Sequence, residues 1–137
     1  RRKAKDVVCL FDTVDAVDRA ELALELDKRC ANQGRDALPV LVEVNVSGEA
    51  SKHGVSPEDL PGVLDTLAGC AHLRVGGLMT MAPFECEPEA TRPVFARLRE
   101  LAERHRLREL SMGMTNDFEV AVEEGATQVR IGSALFE

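Results

Sequence analysis

Two short runs carry the residue types that grip an anion. They are Ser111-Met112-Gly113-Met114-Thr115 and Arg130-Ile131-Gly132-Ser133-Ala134. Each closes a β-rich segment and stands where a helix should begin. At such a junction backbone N–H groups point outwards unpaired and the helix dipole favours negative charge, which suits a phosphate. Gly132 lets a ligand approach the backbone closely, and Ser133 adds a hydroxyl. Arg130 shares a strand face with Gly132 and stays protonated. Taken alone, an ordinary strand-to-helix turn with a structural Arg is an equal reading of the second run. The first run alone is weaker still, because Met in such places usually fills core gaps. Two such turns on consecutive strands aim at one patch, as where the last strand ends of a barrel bind phosphate.

The elements that must position these turns alternate. Val7 to Val17 has period-2 apolar character, and Asp18 reads as the cap of a helix bearing Leu22, Ala23, Leu26 and Cys30, ended by Asn32 and Gly34. Pro39 opens the strand Val40 to Val46, in which Glu43 and Asn45 share a face. Ser56-Pro57-Glu58-Asp59 predicts a helix start, with Ser as cap, Pro first and acids at the positive dipole end. Its apolar face is Leu60, Val63, Leu64, Leu67 and Ala68. Leu73 to Met81 reads as a strand whose Gly76 and Gly77 admit another backbone or a ligand. Val94, Phe95, Leu98, Leu101 and Ala102 mark a charge-rich helix, followed by a short strand at Glu109 to Met112. Asn116 or Thr115 caps a further helix with Phe118, Ala121 and Val122 inward and Gly125 closing it. The last strand is Thr127 to Ile131.

That is about five β/α units with no hairpin signal, which predicts a parallel sheet with right-handed crossovers. An open doubly wound sheet and a (β/α)8 barrel both fit. The 137 residues make one domain, residues 1–137, and about half of a whole barrel. In either fold the ligand lies at the carboxyl ends of the strands, which brings forward Asn45, Met79, Ser111 to Thr115 and Arg130 to Ser133. Met79 reads there as packing.

The net charge of −7 argues against a general nucleic-acid surface. No apolar run is long enough to span a membrane. Cys9, Cys30, Cys70 and Cys86 show no metal spacing and favour a reduced, cytoplasmic setting. Lys52 reads as a solvated loop lysine, His53, His72 and His105 as surface residues, and Glu43 and Asp12 as internal charges of a barrel. No carboxylate pair has spacing that specifies acid–base work.

In combination the motifs resemble the pyridoxal-phosphate homeostasis protein family, the alanine-racemase-like YggS/PROSC type. The matching pieces are Val44-Asn45-Val46-Ser47-Gly48-Glu49 with Lys52 and Gly54, Gly77-Leu78-Met79, Leu110 to Asp117, and Gly125-Ala126-Thr127 with Val129 to Phe136. They occur in family order and cover nearly the whole chain. The resemblance implies a partial (β/α)8 TIM barrel of the alanine racemase N-terminal-domain type, with pyridoxal 5'-phosphate at its mouth. By motif, Gly132 and Ser133 hold the phosphate, Ser111 and Thr115 lie nearby, and Arg130 faces the pyridine nitrogen. The implied role is cofactor binding and intracellular homeostasis by a non-catalytic carrier. The alternative is a fragment of an amino-acid racemase or decarboxylase that uses the same cofactor.

Three departures bear on that choice. The family's Schiff-base lysine lies on the first barrel strand, and none of Lys3, Lys5, Lys28 and Lys52 matches it. Thr115 stands for the usual Ser, and Ala16 for a polar residue. The chain reads as running from about the third helix to the eighth strand's exit, a partial barrel whose exposed sheet edges invite self-association.

Overall fold

The computed structural model describes residues 14–34, 37–48, 54–83 and 87–130. Five strands run in the order β1 (Val14–Val17), β2 (Leu38–Glu43), β3 (Leu73–Met79), β4 (Glu109–Met114) and β5 (Gln128–Arg130). Every pair is parallel. Spatial order therefore equals chain order. A doubly wound sheet reverses its order at a switch point; this one never does, so its crossovers all lie on one side, as in a barrel wall. The crossovers are α1 (Ala20–Asn32), α2 (Leu60–Ala68), α3 (Arg92–Arg104, led by a 3-10 turn at Pro88–Thr91) and α4 (Phe118–Glu123).

The core lies between the helices and one sheet face. Val40, Val42 and Val44 of the second strand region, Leu78 of β3, and Leu110 and Met112 of β4 pack on Leu26, Leu60, Leu67, Phe95, Leu98 and Leu101. Alternation along a strand sends Leu41 and Glu43, Ser111, and Gln128 and Arg130 to the opposite face, the barrel interior. Leu41, Met79 and Ser111 are buried yet lie outside the helix-side cluster, which agrees with that placement.

Gly77 answers one question left open by sequence. A Cβ there would overlap the backbone carbonyl of Glu109, and one at Gly76 would meet the Glu109 carboxylate. The paired glycines admit a neighbouring strand rather than a ligand. The register also slips between Val40 and Leu41 opposite Gly76, so the second glycine sits beside a bulge.

Several local expectations are corrected. Arg19, not Asp18, occupies the N-cap of α1 without a side-chain cap bond; the Asp18 carboxylate is 3.1 Å from the Arg19 guanidinium, which competes for it. Neither Asn116 nor Thr115 caps α4; Asp117 stands at that position. On α4 the buried residues are Val120 and Ala121, while Phe118 is half-buried and Val122 exposed, because the short helix presents its 120–121 edge to β4. On α2, Ala68 lies exposed beyond the buried Leu60, Val63 and Leu67. The strand expected to end at Val46 ends at Glu43, and the one expected to end at Met81 ends at Met79, because each chain turns out at the barrel mouth. Asp59, not Ser56, stands at the N-cap of α2; Ser56 lies one turn earlier, where its Oγ accepts from the Asp59 amide at 3.2 Å and its carbonyl from Leu60 at 3.1 Å.

A charged clamp holds the third and fourth crossovers together. Arg92 donates to both oxygens of Glu89 (2.9 and 2.8 Å), to Glu124 (2.7 Å) and to Glu123. The Arg92 hydrogen bonds hold the Glu89 carboxyl below its ordinary value of 4.5. A depressed carboxylate pKa gives stability that is full above the unfolded value and is lost as pH falls through the folded one. Arg92→Met should therefore lower Tm by a few degrees at neutral pH. The gap to the parent should shrink in high salt and close progressively below about pH 4.5. Thermal melts at three pH values check this; a gap that grows towards acid contradicts it.

Cys30 and Cys70 are buried thiols. Burial first, and Asp27 second, pushes the Cys70 thiol up, so it stays protonated and inert.

Candidate functional site

The site is built from the register. Glu43 pairs with Met79, Met79 with Ser111, and Ser111 with Gln128. These four residues form one row across β2 to β5, on the interior face near the carboxyl ends of the strands. Arg130 pairs with Met114, one step nearer the mouth. Asn45 lies two residues beyond Glu43, also at the mouth.

Ser111 is the residue of this row with unmet chemistry. It is 1% exposed, and its Oγ has no hydrogen-bond partner. A buried hydroxyl left unpaired costs about 1–3 kcal/mol. Such an atom on a barrel interior face is suited to a ligand that supplies the missing bond. Met79 is buried and pairs with Ser111 on the neighbouring strand.

The Asn45 turn forms one rim. The Asn45 Oδ1 accepts from the Gly48 amide at 3.1 Å and from the Ser47 hydroxyl at 3.4 Å. The chain then returns to the sheet at Val55, whose amide donates to the Glu43 carbonyl at 2.8 Å and whose carbonyl accepts from the Asn45 amide at 2.8 Å. Gly54, with φ of 118°, permits the return; a Cβ there would lie 2.8 Å from the Asn45 nitrogen. Asn45 thus shapes the turn with its own side chain, which gathers the Ser47 hydroxyl and the Gly48 N–H.

The end of β4 forms the other rim. Gly113, with φ of 103°, lets the strand bend over α4; a Cβ would meet that of Ala121 at 2.6 Å. Asp117 fastens the bend: its Oδ1 accepts from the Met114 amide at 2.6 Å while its own amide donates to the Met114 carbonyl at 3.1 Å. Asp117 is 4% exposed. Sequence reasoning gave it no role of its own, because a carboxylate reaching back to an amide three residues earlier is the reverse of the forward Asx turn that sequence signals. Gln128 was also missed, because a lone polar residue on a strand has no motif until the register places it beside Ser111.

The expected residues divide accordingly. Met79 and Ser111 adjoin in one row, and Asn45 and the exposed Arg130 stand at the same end of the sheet. Thr115 is exposed and lines an outer cleft of about 280 Å³ with Glu87, Glu89, Asp117, Glu119 and Glu123. Those carboxylates repel a phosphate, so the cleft is not its seat. Gly132 and Ser133 lie outside the described residues, as do Ile131, Lys52, His53, Cys9 and Cys86. Lys28, the lysine within the described residues, is exposed on α1, on the helical side of the sheet. Among the described residues no cluster of His, Cys, Asp and Glu could hold a metal ion, and no helix is long and apolar enough to cross a membrane.

Comparison with known proteins agrees with this fold. The profile of the family described as "Alanine racemase, N-terminal domain" matches residues 4–137. A protein of Aquifex aeolicus named pyridoxal phosphate homeostasis protein is 46% identical over 129 residues, which are 90% of this chain and 56% of the relative. One of the same name from Pseudomonas aeruginosa is 44% identical over 136 residues, covering 98% of this chain and 59% of the relative. Among solved structures, PipY of Synechococcus elongatus with PLP bound superposes with a TM-score of 0.86 at 34% identity, covering 99% of this chain and 66% of that one. The chain thus spans between half and two thirds of the length of these relatives. The chain belongs to the alanine racemase N-terminal domain family and is a relative of the pyridoxal phosphate homeostasis proteins.

Proposed function

We propose that this chain is a single partial-barrel unit forming the phosphate-side wall of a pyridoxal phosphate site, in a carrier that binds the cofactor without turning over a substrate. The observation that carries the proposal is the unpaired, buried Ser111 Oγ on the barrel interior. The names of the relatives and the PLP bound to PipY support it.

In this reading the phosphate is met by the N–H groups of the Arg130–Ala134 run with Gly132 and Ser133, by Ser111 and by the N–H groups of the β4 turn at Thr115. Met79 floors the pocket, and Asn45 shapes the opposite rim. When bound, the cofactor supplies an electron-withdrawing ring that stabilises carbanions. Arg130 at the pyridine nitrogen can only donate a hydrogen bond, so it keeps that nitrogen unprotonated and blunts the ring as an electron sink. That suits storage better than vigorous carbanion chemistry, although racemases of this fold share the feature. Among the described residues the interior face carries no lysine to bond the aldehyde. The buried, reduced Cys30 and Cys70 suit the cytoplasmic setting of a cofactor buffer.

With the affinity resting on the phosphate, the cofactor's aldehyde should matter little. Calorimetric titration of the 137-residue chain should give comparable affinities for pyridoxal phosphate and pyridoxine phosphate. Unphosphorylated pyridoxal should bind at least about tenfold more weakly, one or more charge-assisted hydrogen bonds being lost. Equal binding of pyridoxal removes the phosphate cup. Racemisation of alanine by the chain in the presence of the cofactor would favour the enzyme reading instead.

A further inference from the structure

Thr80 is one of four polar residues buried among the described residues, at 4% exposed. It sits one step past the end of β3, between the two rims of the cup. Its Oγ1 donates to the carbonyl of Val44 at 2.7 Å, and its amide donates to the carbonyl of Ser111 at 3.1 Å. The Val44 amide in turn donates to the Met79 carbonyl at 2.8 Å. An unbroken path of hydrogen bonds and peptide links thus runs from Ser111 through Thr80 and Val44 to Asn45, whose side chain holds Gly48. A buried hydroxyl is costly unless it is bonded, and an apolar residue would fill this position without that cost. The hydroxyl makes sense as a side-chain donor that prolongs the β2–β3 ladder beyond Met79, where the strands diverge into their loops.

We infer that Thr80 is a positioning residue: it fixes the spacing between Ser111 and the Asn45 turn by tying β2 and β4 together across β3, without touching the ligand. The inference rests on the pyridoxal phosphate reading above. It extends that reading to a residue outside the cup.

The test compares Thr80→Val, which keeps the shape and removes the donor, with Thr80→Ser, which keeps the donor. Calorimetry with pyridoxal phosphate is joined to amide hydrogen exchange at Gly48 and Val55 without ligand. Thr80→Val should bind the cofactor roughly three- to tenfold more weakly, the scale of one buried hydrogen bond. It should also exchange faster at both amides, with Thr80→Ser within about twofold of the parent in each readout. Parental affinity in Thr80→Val overturns the positioning role, whatever its exchange rates. Weaker binding that Thr80→Ser does not restore also overturns it, since loss of the methyl rather than the donor would then be at fault. If the parent chain takes up no cofactor, the pyridoxal phosphate reading fails first. Exchange then decides whether Thr80 ties the strands: unchanged rates in Thr80→Val overturn it, and faster rates reversed in Thr80→Ser uphold it.

Discussion

Gly77→Ala should unfold this chain or leave it barely folded. The added Cβ would overlap the Glu109 carbonyl, which is backbone of the paired strand and cannot swing aside as a side chain would. Relief requires β3 and β4 to separate, and that pair carries Met79 opposite Ser111 and Leu78 opposite Leu110. Leu78 and Leu110 are part of the helix-side core, so the sheet cannot part there without opening the packing of α3. The expected loss is about 4 kcal/mol or more, at the exceptional end for a single substitution. Against a total of about 5–15 kcal/mol that is a large share. A chemical-denaturation midpoint and a thermal melt measure it; Tm should fall by more than about 10 °C. A drop of only a degree or two would mean that β3 and β4 are not paired at Gly77.

The second large effect has opposite signs in two assays. Ser111→Ala removes a buried hydroxyl that the folded chain leaves unpaired, so stability should hold or rise, by up to about 1–2 kcal/mol. The same change removes a donor from the proposed phosphate cup, so affinity for pyridoxal phosphate should fall roughly tenfold or more. A residue kept for packing would lose stability and leave binding alone. Thermal melts and calorimetry on the one variant separate these outcomes. A clear loss of Tm with unchanged affinity places Ser111 in the structure rather than in the site.

Much of the architecture was legible in sequence because its signals are local. A β-branched run gave β2 and an apolar run holding paired glycines gave β3, and the i, i+3, i+4 apolar spacing gave Leu26, Leu67, Phe95 and Leu101 their buried faces. Barrel and doubly wound sheet could not be separated by pattern, since both alternate strands and helices; the spatial order β1 to β5 separates them. Helix starts were read less well. At Asp18 a neighbouring Arg19 captures the carboxylate, and at Asp117 the carboxylate turns back to the Met114 amide instead of into its own helix. Both are competitions between partners that a single sequence does not rank.

The candidate site shows the same division. Ser111 and Met79 stood out by position near strand ends, but their adjacency is a fact of register between segments about thirty residues apart. Thr80 carries no motif, and its role rests on a hydrogen bond to a residue 36 positions earlier. Thr115 reads as part of the Ser111 patch because both belong to one turn. It also lines an acidic cleft beyond the Gly113 bend, so only its backbone N–H enters the proposed cup.

The central claim is a location: a phosphorylated pyridoxal bound at the barrel mouth, over the Ser111 row. Amide chemical-shift mapping of the labelled chain during titration with pyridoxal phosphate tests it most directly. The account predicts that the shifts concentrate at Asn45–Gly48, Thr80, Ser111–Met114 and Arg130, and that Ser111→Ala diminishes them. Shifts concentrated instead at the acidic cleft around Glu89 and Glu119, or at the groove of about 410 Å³ beside Cys70 and Leu107 at the far end of the sheet, would contradict it.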